Sequence, residues 1–551
     1  MPDRHFGASA VVLAASIALI PGLAYAADPS QAATATRPAE AAALVKAESS
    51  QFKTFTGSAH ASVQRTTAGA IPSDDSDPWL GLTLTAQQSS AYSVWLSSQV
   101  TSAAGLELTA SINWGDGTVS SISRSSTGAL GTSHTYAKLG AYTITVTLSD
   151  GLGNNAVDTV ALTTAGSDYT PYGPTRLLDT RYGTGAPTAK VRNGTAAKVQ
   201  IAGNQGIPAD VTAVVLNVTV TNATSGGYIT AYGDGEARPS TSNLNFTAHS
   251  TVANQVIVTT GADGAVDLYN GSPGSVDLIA DIAGYFTLSP SSGYTPLTPD
   301  RLVDTRYGTG TTKHQLAGGS SLVAQVADAD SGKLPASGIT ALAVNITATG
   351  SKGAGYLTAY PDGAKTPVAS NVNYGAKQTV ANAVITPVGA DGKIRIYNGG
   401  GQPISVIVDV VGYYSATSKS AYVPYSPFRA VDTRSADGKT GPLPANGYTD
   451  LPLSPGNPQY TAFVLNATVT DTTGQGYLTV GPDSNTWTQY ENHTAKRPAK
   501  PAGSTLNWLP TQTVANLLQA NVGTNGIIDF WDTGNGTAAL IFDEFGAYED
   551  K

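Results

Sequence analysis

The pattern Arg-x-x-Asp-Thr-Arg occurs three times in this chain of 551 residues, beginning at Arg176, Arg301 and Arg429. On a strand, residues two apart share one face, so the aspartate and second arginine of each copy would lie together with the threonine opposite. Asp179 with Arg181, Asp304 with Arg306, and Asp432 with Arg434 are therefore the most informative polar sets. Two chemistries fit them. A guanidinium fork beside a carboxylate gives directional hydrogen bonds suited to a sugar or another polar ligand. The same groups can instead form a half-buried ion network that fixes how strands meet, because a desolvated arginine needs carboxylates. The structural reading is preferred, with Asp281, Asp409 and Asp543 near the end of each copy as partners.

Further elements recur in one order. A strand-like run carries Asn217, Asn345 or Asn466, a Gly-Tyr pair opens at Gly227, Gly355 or Gly476, and a Val-Ala-Asn triplet ends at Asn254, Asn382 or Asn516. Each copy closes on an aspartate and a glycine three residues later: Asp281 and Gly284, Asp409 and Gly412, Asp543 and Gly546. An asparagine inside an apolar strand must satisfy its amide, and capping a loop backbone is the ordinary way. Tyr228, Tyr232, Tyr356, Tyr360 and Tyr477 sit on equivalent strands, where cross-strand packing is the expected role. The third copy adds an insertion at 485–503 and the aromatics Trp487, Tyr490, Trp508 and Trp531, candidate ligand contacts that the first two copies lack.

Catalytic chemistry finds little support. None of the six histidines holds an equivalent place in all three copies, so no imidazole acid–base centre repeats with them. No phosphate loop, zinc-binding helix motif or Gly-x-Ser-x-Gly elbow occurs. The chain has no cysteine, which excludes disulfides and thiol nucleophiles. No cofactor is expected, and calcium is not indicated. The net charge of −9 without a long basic run argues against nucleic acid.

The elements that must position these residues are strands. Short runs of Val, Thr, Tyr and Ile alternate with glycine-rich turns, and charged residues are 13% of the total. Residues 1–26 read as a secretory signal ending at Ala24-Tyr25-Ala26, and 27–78 as a disordered Ala/Ser/Thr-rich linker. No later stretch is long and apolar enough to span a membrane as a helix. At 79–166, Trp114-Gly115-Asp116-Gly117, His134-Thr135-Tyr136, Gly140 and Tyr142 resemble the PKD family. That resemblance implies an immunoglobulin-type β-sandwich serving as an extracellular spacer or binding module. Trp114 is then a core residue, Asp116 a turn former and His134 a structural hydrogen-bonding group.

Three modules follow at 169–288, 294–415 and 422–551, each with about eight strands. They resemble uncharacterised repeats of secreted actinobacterial proteins, although Ala547 stands in the third copy where the pattern has tyrosine. The expected fold is all-β: a PKD-like sandwich, then three homologous antiparallel sandwiches, jelly-roll-like, or barrels. The short junctions predict an elongated or compactly docked array. The expected function is that of a secreted, non-enzymatic adhesion protein engaging cell-wall or other polysaccharide through tandem sites. A stalk or subunit of an extracellular assembly with protein partners is the alternative, and a hydrolase with its site in the third copy is a further one.

Overall fold

The protein is described by a computed structural model covering residues 44, 46–48, 50–57, 62–65, 80–101, 107–125, 128–150, 154–329, 332–435 and 441–551. The signal reading of 1–26 lies outside the described residues.

Among the described residues, nine strands build the first module: β1 (Thr54–Thr56), β2 (Ser62–Arg65), β3 (Gly81–Gln88), β4 (Ser93–Thr101), β5 (Leu108–Asn113), β6 (Val119–Arg124), β7 (Gly128–Thr135), β8 (Ala141–Ser149) and β9 (Asn154–Thr163). They form two sheets, ordered β1-β3-β4-β7 and β2-β9-β8-β5-β6. Period-two alternation sends Leu82, Leu84, Val94, Leu96, Ile144 and Val146 into one core, which Trp114 and Tyr136 fill. His134 stacks on Trp114 at 4.6 Å, and its Nε2 lies 2.8 Å from Asp116 Oδ2.

The disordered linker expected over 27–78 is corrected at two places. β1 pairs with β3 and β2 pairs with β9, extending each sheet by one strand. Edge strands leave unpaired N–H and C=O groups that a short polar segment can satisfy, and Phe55 adds apolar contact with the core. Upstream of β1, Leu44 and Phe52 pack against the core of the distant third repeat.

The first repeat contains β10 (Asp168–Asp179), β11 (Ala196–Gln200), β12 (Val211–Thr221), β13 (Gly227–Gly233), β14 (Leu244–Phe246), β15 (Val252–Thr259), β16 (Ala265–Asn270) and β17 (Asp277–Thr287). Sheet β10-β17-β12-β15 faces sheet β11-β16-β13-β14, all antiparallel. This is the strand order of a jelly roll, and it resolves the choice between sandwich and barrel. The second repeat runs from β18 (Gly293–Asp304) to β25 (Ser405–Ser415) and the third from β26 (Ala421–Asp432) to β33 (Ala539–Glu549), both with the same order. Each encloses its own apolar core between its sheets.

A further core lies between the repeats. Tyr169, Phe286, Tyr294, Tyr414, Tyr422 and Tyr548 are buried in one cluster drawn from all three. The ring contacts are cyclic: Tyr169 with Tyr414 at 4.2 Å, Tyr294 with Tyr548 at 4.4 Å, and Tyr422 with Phe286 at 4.6 Å. The lead-in strands bridge cyclically as well, Tyr169 to Ser292, Tyr294 to Ser420 and Tyr422 to Ser167. The array is therefore a closed ring of three jelly rolls about a pseudo-threefold axis.

Candidate functional site

The arginine that opens each motif stands on the first strand directly opposite the closing aspartate: Arg176 across from Asp281, Arg301 from Asp409, Arg429 from Asp543. Arg176 binds Asp281 with two parallel N–H donors, Nε at 2.8 Å and Nη2 at 3.1 Å. Its Nη1 donates to Asp179 at 3.0 Å. Arg181 then grips the same Asp179 from the other side, Nε at 2.9 Å and Nη2 at 2.7 Å. The second and third repeats reproduce the arrangement with Arg301, Asp304, Arg306 and Asp409, and with Arg429, Asp432, Arg434 and Asp543. A bulge explains the two-residue gap in the motif. The register slips between Arg176 and Leu178, so both Leu177 and Leu178 enter the core while Arg176 stays on the outer face.

The expectation that Asp179 and Arg181 share a strand face is corrected. β10 ends at Asp179, and Arg181 lies in the turn beyond it. Asp179 Oδ1 accepts the Arg181 N–H at 3.1 Å, and this side-chain-to-backbone turn folds the arginine back. Burial pushes the Asp179 carboxyl up, but the Arg181 hydrogen bonds and the charges of Arg181 and Arg176 outweigh it and hold it below the usual carboxylate range. Asp304 behaves alike. In the third repeat the Arg434 hydrogen bond is the leading cause and lowers Asp432. The closing aspartates go the other way. Burial pushes Asp281 and Asp543 up, and Asp409 up to about 6, despite their arginines.

These sets lie where repeats meet. Asp543 accepts the Ser242 N–H at 3.4 Å from the first repeat. Asn217 Nδ2 donates to Ser370 O of the second repeat, Asn345 Nδ2 to Ser504 O of the third at 2.6 Å, and Asn466 Nδ2 to Ser242 O of the first at 2.6 Å. The triplet asparagines close a second circuit. Asn382 donates to Asn217 at 3.2 Å, Asn516 to Asn345 at 2.9 Å and Asn254 to Asn466 at 3.0 Å. The asparagine amides do cap loop backbone: Asn217, Asn345 and Asn466 cap loops of the neighbouring repeat, whereas Asn254, Asn382 and Asn516 also donate to the backbone of their own repeat, at Asn243 O, Asn371 O and Thr505 O.

The aromatic contacts expected in the third repeat are corrected in part. Trp508 is packed into that repeat's core and Trp531 is buried, so neither faces a ligand. Trp487 and Tyr490 are half-buried on the helix Trp487–Glu491, whose N-terminus Thr486 caps. The Tyr490 hydroxyl donates to Asp483. In the sheet of that repeat, Asp450 pairs with Asp529 between the strands Tyr448–Pro452 and Ile527–Gly534. Both are buried. Burial pushes Asp450 up to about 7, with Asp483 adding repulsion. It pushes Asp529 up to about 9, helped by Asp483 and Asp450. Tyr228 and Tyr356 are half-buried against Gly271 and Gly399, as packing partners should be.

Two exposed aromatics escaped the sequence reading. Tyr182 and Tyr307 directly follow Arg181 and Arg306 and are 77% and 73% exposed. The duplicated string Arg-Tyr-Gly-Thr-Gly was the available signal.

Comparison with known proteins finds matches to parts of this chain. No curated protein matches it. Three solved structures cover more of it: the tandem CBM22-1–CBM22-2 domains of Paenibacillus barcinonensis Xyn10C (10% identity, 44% of this chain, 100% of that chain, TM-score 0.15), the Sulfolobus Turreted Icosahedral Virus (9%, 75%, 90%, 0.14), and an archaeal virus protein described as a triple jelly roll fold with turret assembly (10%, 74%, 89%, 0.14). At these scores the jelly-roll assignment rests on strand order alone. Residues 81–163 match the PKD domain, and with their two-sheet sandwich they are a PKD domain.

Proposed function

We propose that this is a secreted, non-enzymatic adhesion protein, in which a PKD domain and one rigid three-module platform engage cell-wall or other polysaccharide. The observation that carries the reading is the closed asparagine circuit between repeats. It makes the modules a single body that holds equivalent loops in fixed relation, the geometry that converts weak contacts into avidity. The absence of catalysis is part of the proposal. The repeated carboxylates are each gripped by arginine, and the third repeat's acidic pair is buried beneath its own strands.

The Asp–Arg sets support the platform better than they support a ligand site. Their closing aspartates are buried and their neighbours come from the next repeat. That burial also favours the second reading, a structural subunit of an extracellular assembly with protein partners. The test is retention of residues 27–551 on purified bacterial cell wall, chitin and cellulose. Retention on any of them supports adhesion, and passage through all three eliminates it in favour of the subunit reading. Asp179→Asn, Asp304→Asn and Asp432→Asn together should melt earlier than the wild type.

A further inference from the structure

We propose that Tyr182 with Arg181, and Tyr307 with Arg306, form two equivalent binding sites for neutral pyranose chains. The inference rests on the adhesion reading and locates its contact residues. Each tyrosine is about three-quarters exposed, although its neighbours on the chain are tied down. The Arg181 guanidinium lies 5.0 Å from the Tyr182 ring centre, and Arg306 lies 5.2 Å from that of Tyr307. One ring face is thus backed by a cation, while most of the ring remains open to solvent. A sugar ring has the matching chemistry: an apolar face of C–H groups for the aromatic plate and hydroxyls for the guanidinium.

The arginines are not loose. Two N–H groups of each are fixed on Asp179 or Asp304, which leaves the other guanidinium N–H groups free to donate outward. The loop backbone is fixed as well. Gly185 and Gly310 adopt positive φ of 67° and 60°, and a side chain at either would collide with the carbonyl of Leu177 or Leu302. A plate held this way loses little conformational freedom on binding.

Charge selects the ligand class. Arg176, Arg181, Asp179 and Asp281 carry two formal charges of each sign, so the site offers directional donors without a net positive field. The whole protein carries −9, which disfavours polyanions. Cyclic contacts between repeats relate the two loops by the pseudo-threefold operation, so the two sites lie at the same level along the axis. The third repeat keeps Arg434 but has Ser435 at the tyrosine position, and so lacks the plate.

The test uses the full mature chain on chitin and on cellulose, comparing wild type with Tyr182→Ala, Tyr307→Ala, the double variant, and a double Tyr→Trp variant. Thermal melts accompany every protein. Each single alanine variant should weaken retention about tenfold, and the double should lose retention at an unchanged melting temperature. The tryptophan variant, which keeps an aromatic plate, should be retained. Wild type and double alanine variant held equally would overturn the site while leaving adhesion standing. Wild type held by neither matrix would overturn both the neutral-pyranose site and, with cell wall also negative, the adhesion reading itself.

Discussion

At the scale of single residues, the decisive fact is that one arginine serves two aspartates with different environments. Asp179 is held ionised by Arg181, whereas Asp281 is buried and relies on Arg176 alone for its strong hydrogen bonds. Arg176→Ala therefore leaves a buried carboxyl unpaired and should destabilise the first repeat by about 3 kcal/mol, read by denaturant unfolding. Arg181→Ala, removing a partly exposed arginine, should lower stability by less, about 1 kcal/mol. The third repeat and its junction with the PKD domain add buried acids of another kind. Besides Asp450 and Asp529, burial pushes Asp532 up to about 7, and Glu48 up to about 9 with Glu549 adding repulsion. Glu549, pushed by burial up to about 7, accepts the Ala91 N–H of the PKD domain at 2.7 Å.

A carboxyl whose folded-state pKa is raised holds its proton more tightly in the folded chain than in the unfolded one. Its effect on stability is absent below the ordinary carboxylate range and becomes increasingly unfavourable as pH rises toward the folded-state value. The melting temperature should therefore fall between about pH 5 and pH 9. Asp529→Asn should flatten that decline in a pH series of thermal melts. A decline of undiminished slope in the variant would remove Asp529 from the account.

At the scale of elements, the closing glycine of each repeat is a seat for the axial tyrosine. A side chain at Gly284 would run into the Tyr169 ring, whose hydroxyl donates to Ala283 O at 2.8 Å. Gly412 stands in the same relation to Tyr294, and Gly546 to Tyr422. The Asp-x-x-Gly ending thus joins two tasks on one strand, the ion pair with the first strand and the contact with the axis. Gly284→Val should displace Tyr169 and destabilise by roughly 1–3 kcal/mol. The accompanying signature is a changed near-ultraviolet circular dichroism spectrum, because the tyrosine cluster loses its packing. Asn254→Ala acts on the neighbouring element. It removes the donor to Asn466 Oδ1 and the acceptor for Leu517 N–H, and should cost about 1–3 kcal/mol through the groups it leaves unsatisfied.

At the scale of the whole molecule, the ring changes what a module is. Each jelly roll has a core, but its axial strand face is buried only by the other two repeats. The three should unfold as one cooperative unit. Scanning calorimetry should show a single transition for the repeats, with calorimetric and van't Hoff enthalpies in agreement, rather than three steps. Separate transitions of module size would show that the ring opens before its parts melt. The PKD domain belongs to this assembly through contacts far from its point of attachment: Tyr92 Oη donates to Lys419 O at 3.3 Å, and Lys551 Nζ to Ala137 O at 2.8 Å. The chain leaves the PKD domain into the first repeat, yet the domain rests against the last strand of the third.

The sequence alone determined the PKD domain, the three copies and most strand positions, and it named Asp281, Asp409 and Asp543 as partners of the repeated Asp–Arg sets without saying that Arg176, Arg301 and Arg429 are the residues that bind them. Each of these follows from local signals: period-two alternation, glycine turns, and recurrence of the same residues in the same order. It also indicated that Asn217 and Asn254 must find partners, since burying an amide unsatisfied is unfavourable wherever it occurs. Tertiary structure alone decided that Asn217 caps a loop of another repeat and that Asn254 shares its amide between its own repeat and the third, that Trp508 and Trp531 are internal, and that residues 54–56 join a sheet. A one-dimensional pattern records that a side chain must be satisfied or buried. The group that satisfies or buries it depends on contacts between residues more than a hundred positions apart, here closed into a ring by the matching faces of three similar modules.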